Sequence, residues 1–448
     1  MRGKGFGSGS SRADIGLDVL ISWARCASFS TLDTLETMIS DLCKQLDSSP
    51  TANHLVEHWS RILTDRGFNE FAHGAPVGAR GFVRVGGALI AWTNTDDFER
   101  RGIRIVGAHT DSPGMHIKHN PFTEIYNMQQ IGVEIYGGPL LNSWLDRDLG
   151  IAGVVYDRAG RSTLVRTERA VARIPQLAIH LDRDVNERGL QLDKQQHIHP
   201  IWTTDKSMKS FASFLASEFS IDKNNVAAWS CQLFDIQKAE LFGYRNEFLA
   251  SARLDNQVSC WAAMNALVDN EGTEPSLVAL FDHEEVGSES TTGAAGPLLE
   301  TILERIALAS GSDRAGFLAG LANSHCISAD NAHAIHPNYP DRHDQSHAPL
   351  INNGIAIKTN SNQRYATSAK SSIPVYAAAD SAKVNIQHFS SKNTMPCGST
   401  IGPITATRLG IETVDIGLPQ LAMHSIREMC GSEDPISLYG LLKQYFAR

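Results

Sequence analysis

The stretch LDNQVSCWAAMNALVDNEGTEPSLVALFDHEE, residues 254–285, holds the reading that decides the fold. Its first half places Val258, Trp261, Met264, Leu267 and Val268 at the spacing of one helix face. After a polar turn, SLVALF (276–281) is a short unbroken apolar run, the pattern of a strand covered on both sides. Charge follows at once in Asp282, His283, Glu284 and Glu285. Helix, buried strand and acidic loop in succession form the unit of an α/β sheet, where ligands gather beyond the carboxyl ends of the strands.

The alternation extends in both directions. Downstream come the helix PLLETILERIALA (297–309), the strands HCISA (325–329) and GIAIKT (354–359), and a helix after Gly398. The strand TVDIG (413–417) and a last helix ending at Tyr445 complete the chain. Upstream, Leu32, Leu35, Ile39, Leu42 and Leu46 keep a helical period until Ser48-Ser49-Pro50 stops it. A second helix carrying Leu55, Trp59, Ile62 and Leu63 ends at Gly67, the residue that tolerates a left-handed terminus. GFVRV (81–85), ALIAW (88–92) and IRIVGA (103–108) then read as strands.

Between about 116 and 206 strand character persists without a convincing amphipathic helix, as in VEIYGG (133–138), AGVVYDRAGRSTLVRTE (152–168) and RIPQLAIHL (173–181). The sequence therefore predicts an α/β fold, a mostly parallel mixed sheet flanked by helices, interrupted by an inserted all-β module. The expected catalytic domain is discontinuous, 30–115 and 245–448, and the β-rich insert spans 116–244. Residues 1–29, rich in Gly, Ser and Arg, read as a weakly ordered extension.

Composition narrows the function classes. The 448 residues are 42% hydrophobic and 20% charged, as in ordinary globular proteins. Forty Lys and Arg against 49 Asp and Glu give a net charge of −9 with no basic cluster, which argues against nucleic acid and anionic membranes as partners. No run approaches the ~20 apolar residues of a membrane span, and the interrupted apolar run near the N-terminus falls short of a secretory signal. Seven scattered cysteines without a C-x-x-C suit free thiols in a reducing cytoplasm and exclude a thiolate zinc ribbon.

Five polar positions stand on the predicted rim: His109 after IRIVGA, Asp255 at a helix start, Glu285 after SLVALF, Asp330 after HCISA, and His424 beyond TVDIG. Taken singly, each is an ordinary cap or turn residue. Together they concentrate negative charge that repels itself unless cations neutralise it. Imidazole and carboxylate without thiolate suit zinc, cobalt or manganese, and two divalent ions ~3.5–4 Å apart can share a carboxylate. The assignment is Asp255 as the bridge, His109 and Asp330 completing one metal, and Glu285 and His424 the other. Three carboxylates against four positive charges leave +1, which a hydroxide between the ions brings to zero.

Glu284 should point opposite to its neighbour on a chain leaving a strand, free to act as general base. Asp111 can accept the spare N–H of His109 and orient it, or else serve as a helix or turn cap. No G-x-G-x-x-G after a strand, G-x-x-x-x-G-K-[ST], H-E-x-x-H or G-x-S-x-G occurs. His333, His336, His343 and His347 fall in a Pro/Asn-rich segment and read as loop packing or a pocket wall.

At these residues the chain resembles the aspartyl aminopeptidase family, dinuclear metallo-exopeptidases that remove an N-terminal acidic residue. The matching segments include GAHTDSPG (107–114), VEIYGGPLLNSWLDRDL (133–149), LAIHL (177–181), ARLDN (252–256) and HEEVGSES (283–290). They continue through ISADNAHAIHPNYPD (327–341), NQRYA (362–366), PCGSTIGPI (396–404) and PQLAMHSIRE (419–428), so the resemblance runs from about residue 34 to the end. It implies the same five ligands, most simply for two zinc ions, with Glu284 as base and Asp111 as the orienting acid.

The resemblance also implies that His180 reaches the active site of a neighbouring subunit in a homo-dodecamer built from dimers, with the insert making subunit contacts. Lys358 and Tyr365 would receive the side chain of peptides beginning with Asp or Glu. Two alternatives stay open: an aminopeptidase or deacylase of other side-chain preference at the same site, and a non-catalytic metal-binding assembly protein, which would have no use for the free carboxylate of Glu284.

Overall fold

In the computed structural model, which describes residues 32–71 and 77–448, four apolar strands lie side by side and parallel. They are Ser276–Phe281, Arg104–His109, His325–Ala329 and Glu412–Gly417, and nearly every residue in them is buried. The extension expected over 1–29 lies outside the described residues.

Alternate residues of these strands serve two separate cores, as the period of an extended chain requires. Val106, Ala108, Val278, Leu280, Ile327, Val414 and Ile416 pack on one face, with Trp261 of the helix Leu254–Val268 and Leu442 of the helix Asp434–Phe446. Ile105, Leu277, Ala279, Phe281 and Cys326 pack on the other, against Leu303 of the helix Leu298–Ala309 and Phe317 of the helix Arg314–Asn323. The helix Leu254–Val268 is buried nearly all round, which explains why its apolar residues exceed a single stripe.

Among the described residues this sheet has nine strands. Asn69–Glu70, Arg80–Val85 and Ala88–Thr93 extend it beyond Ser276–Phe281, and Ile355–Thr359 and Ile386–Ser390 extend it beyond Glu412–Gly417. Ile355–Thr359 runs antiparallel to Glu412–Gly417, so the sheet is mixed, as expected.

A second, antiparallel sheet of six strands uses Gly114–Ile125, Met128–Tyr136, Leu149–Asp157, Ser162–Arg166, Ile201–Thr203 and Val226–Asp235. It has its own core around Met115, Leu149, Ile151 and Leu233. Two expectations are corrected here. RIPQLAIHL is no strand: bridges at Ala172, Arg173 and Ile174 give way at Pro175, which has no N–H for a ladder, to a short 3-10 turn at Ile179–Leu181. The segment 116–244 also holds the helix Phe211–Phe219, capped by Ser210 and anchored by Phe211, Phe214 and Leu215, so it is β-rich rather than all-β.

A small five-stranded sheet was not legible in advance. It joins Glu240–Phe242, Phe248–Ser251, Glu428–Gly431, Pro419–Leu421 and Ala332–His333, drawing the chain around residues 255, 330, 424 and 428 to one place. No helix among the described residues is long and apolar enough to cross a membrane.

Candidate metal centre

Backbone turns deliver the site residues to the carboxyl rim of the central strands. His109 ends its strand, Asp330 follows Ala329, and His424 takes a left-handed conformation in the loop after Pro419–Leu421. Glu284 and Glu285 do not leave their strand in extended form as expected. His283 turns into the left-handed region and the two glutamates form a 3-10 turn, so both face the rim.

Donor atoms of His109, Asp255 and Asp330 lie within 4.8 Å of one another, as do those of Asp255, Glu285 and His424. Asp255 belongs to both groups, the arrangement a bridging carboxylate needs. His109 Nε2 is 3.4 Å from Asp255 Oδ1 and 3.8 Å from Asp330 Oδ1. His424 Nε2 is 3.6 Å from Asp255 Oδ2 and 3.4 Å from Glu285 Oε2. A tetrahedral zinc bound at ~2.0–2.1 Å spaces its donors ~3.3–3.5 Å apart, close to these values.

Two further observations fit a cation. Asp255 Oδ1 and Glu285 Oε1 are buried and accept no hydrogen bond, a condition that costs free energy unless something else supplies positive charge. Each histidine also has its second nitrogen engaged. His109 Nδ1 lies 3.1 Å from the Asp111 carbonyl and 3.4 Å from Asp111 Oδ1, and His424 Nδ1 lies 3.1 Å from the Gly138 carbonyl. These acceptors place the proton on Nδ1 and leave Nε2 free for a metal.

Proton affinities reflect the crowding. Burial lowers His109, but the nearby carboxylates of Asp111, Asp255 and Asp330 outweigh it and hold the imidazole well above its ordinary range. Burial lowers His424 too, yet Asp255 and Glu285 lift it to about 9. Burial would raise Asp255; the two histidines hold it far below the usual carboxylate range. Burial and the charge of Asp255 drive Glu285 upward. Glu284 rises to about 7 through burial and the carboxylates of Asp330, Asp255 and Asp111, against the pull of His109.

Asp111 touches more than His109. Its Oδ1 accepts the N–H of Glu284 at 3.1 Å, and its Oδ2 accepts the N–H of Glu285 at 3.1 Å and the Tyr136 hydroxyl at 2.7 Å. Burial raises this carboxyl, and the bonds from His109, Tyr136 and Glu285 bring it below the ordinary value. Sequence reasoning missed Tyr136, whose one signal was a polar aromatic at a strand end before two glycines. It also missed Glu428, which accepts the backbone N–H of Asp255 at 2.9 Å and of His424 at 2.7 Å. Burial, reinforced by Asp255, pushes Glu428 up to about 8.

The cluster opens into a cavity of about 510 Å³ lined by His109, Asp255, Glu284, Glu285, Asp330 and His424, with Lys358 and Tyr365 on its wall. Lys358 is 1% exposed. Its Nζ sits 3.5 Å from Asp330 Oδ2, donates to the Asn331 carbonyl at 3.3 Å and lies 5.0 Å from the centre of the Tyr365 ring. Of the histidines read as packing or wall, His333 lines the cavity, whereas His336, His343 and His347 do not. His180 is exposed in the turn Ile179–Leu181 and takes no part in lining it.

Known proteins resemble this chain over most of its length. Residues 45–446 match the model of the family described as aminopeptidase I zinc metalloprotease (M18). The chain is 44% identical over 410 residues to the "Probable M18 family aminopeptidase 2" of Streptomyces coelicolor, covering 88% of this chain and 94% of the relative. The Streptomyces avermitilis protein of the same name is 46% identical over 413 residues, covering 89% and 95%. Among solved structures, a chain of the Ape4 and Nbr1 complex superposes with a TM-score of 0.88 at 33% identity, covering 92% of this chain and 86% of that one. The S. cerevisiae mApe1 dodecamer gives 0.80 at 27% identity, covering 91% and 96%. The chain belongs to the M18 family of aminopeptidase I zinc metalloproteases, and it is a metallo-aminopeptidase.

Proposed function

We propose that this aminopeptidase hydrolyses the bond after an N-terminal Asp or Glu. The observation that carries the proposal is the buried ammonium of Lys358 on the wall of the cavity that holds the metal cluster. An overall charge of −9 cannot draw in an acidic side chain, so a local cation must receive it. Lys358 supplies that charge, and the Tyr365 ring packs beside it.

Within the same reading His109, Asp255 and Asp330 hold one ion and Asp255, Glu285 and His424 a second, most simply both zinc, with cobalt or manganese acceptable to the same donors. Divalent ions there supply charge that polarises a carbonyl and lowers the pKa of water. A donor atom of Glu284 also lies within 4.8 Å of donors of His109 and Glu285, but the two trios that share Asp255 do not include it; within this reading it takes a proton from the attacking water and passes it to the leaving amine. Asp111 keeps His109 in its tautomer and orientation.

The division into a discontinuous catalytic domain and an oligomerisation insert at 116–244 belongs to this proposal. Leu177, Ile179 and Leu181 expose 63, 47 and 74% of their surface around His180, an apolar display that favours a covering subunit. A homo-dodecamer, the assembly named for the S. cerevisiae relative, would present His180 to a neighbour's cavity. The six described cysteines are unpaired, which favours the cytoplasm. Initial rates on Asp-, Glu-, Leu- and Lys-anilides test the specificity. Asp and Glu should lead, and a Leu or Lys preference would replace this reading with another aminopeptidase activity.

A further inference from the structure

We propose that the segment Tyr136–Ser143, arriving from the six-stranded sheet, is the positioning element of both halves of the metal centre. Four contacts carry it. The Tyr136 hydroxyl donates to Asp111 Oδ2 at 2.7 Å, and Asp111 in turn holds His109 and the backbone N–H groups of Glu284 and Glu285. The Gly138 carbonyl faces His424 Nδ1 at 3.1 Å. The Leu140 N–H donates to the His424 carbonyl at 2.9 Å, and Ser143 Oγ accepts the N–H of Ile426 at 2.9 Å.

One strand end thus fixes His109 through Asp111 on one side and clamps the His424 loop on the other. The approach is close enough to restrict side chains: Gly137 has φ +67°, and a Cβ there would fall 3.1 Å from Glu285 Cβ. Tyr136 is itself steadied by stacking on His116, with ring centres 4.5 Å apart and planes 9° from parallel. The rim of the nine-stranded sheet supplies the donors, and the second sheet supplies the brace that keeps them in register. Tyr136 is therefore a positioning residue acting through Asp111. This inference rests on the roles given above to Asp111 and the five donors.

The test is Tyr136→Phe in the full-length, zinc-loaded protein, since it keeps the ring and its stack and removes only the hydroxyl. Loss of such an outer bond lowers metal affinity or activity by about 10–100-fold. The expected result is a kcat fall of that size with KM within about twofold, weaker zinc retention against a chelator, and an unchanged far-ultraviolet circular dichroism spectrum. The double variant with Asp111→Asn should be no slower than Asp111→Asn alone, because groups acting as one unit are non-additive. A Tyr136→Phe enzyme with wild-type kcat and zinc retention, or losses that multiply in the double variant, would overturn the inference. Full activity in Asp111→Asn would instead overturn the role of Asp111 on which it rests.

Discussion

Lys358 Nζ lies 3.5 Å from Asp330 Oδ2, so the cation assigned to substrate selection touches a carboxylate assigned to metal. In the proposed reading, specificity and chemistry share one wall of one cavity. Truncating one partner of a buried charge pair costs ~2–5 kcal/mol. Lys358→Ala should therefore lower kcat/KM for Asp-anilide by about 30-fold or more while changing Leu-anilide far less. An unaltered Asp-to-Leu ratio would remove Lys358 from specificity.

Glu284 and Glu285 are adjacent yet hold different assignments, and their amides separate them. Glu284→Gln should reduce kcat by about 10²- to 10⁴-fold, the range of a lost general base, with zinc content near wild type. Glu285→Gln should lose zinc and activity together. The reverse pattern in metal analysis would mean that base and ligand are exchanged.

Much of this was legible because the donors follow apolar strands. IRIVGA into His109, SLVALF into the two glutamates and HCISA into Asp330 are local patterns, and the parallel sheet placed their ends on one rim. Tyr136 and Glu428 were not legible, because their bonds to Asp111 and Asp255 span 25 and 173 residues through contacts that no short-range period encodes. The helix Phe211–Phe219 escaped because nine residues barely establish a helical period. Pro175 was in plain view in RIPQLAIHL, and its missing N–H outweighed the apolar pattern.

Gly417 gives a steric prediction. A Cβ there would lie 2.0 Å from the Asp330 carbonyl oxygen and 2.9 Å from the Ala332 nitrogen, both backbone atoms. Gly417→Ala must therefore displace Asp330 or distort its own strand, at a cost of about 1–3 kcal/mol as for other overpacked sites. Calorimetry should show a lower melting temperature, and chelator competition should show weaker zinc binding. A variant matching wild type in both would contradict the close approach.

Metal removal should be felt in stability as well as rate. The buried, unbonded oxygens of Asp255 and Glu285 lose their counter-charge when zinc leaves. A ligand held at 100 times its dissociation constant stabilises by ~2.7 kcal/mol. Treatment with 1,10-phenanthroline should abolish hydrolysis and lower the melting temperature, and added zinc should restore both. Undiminished turnover by protein shown to be metal-free would contradict the account.

The most direct test of the shared Asp255 is anomalous diffraction at the zinc edge from crystals grown with zinc. Two peaks per chain, ~3.5–4 Å apart with the Asp255 carboxylate between them, are the predicted result. A single peak, or two peaks that do not share Asp255, would contradict it.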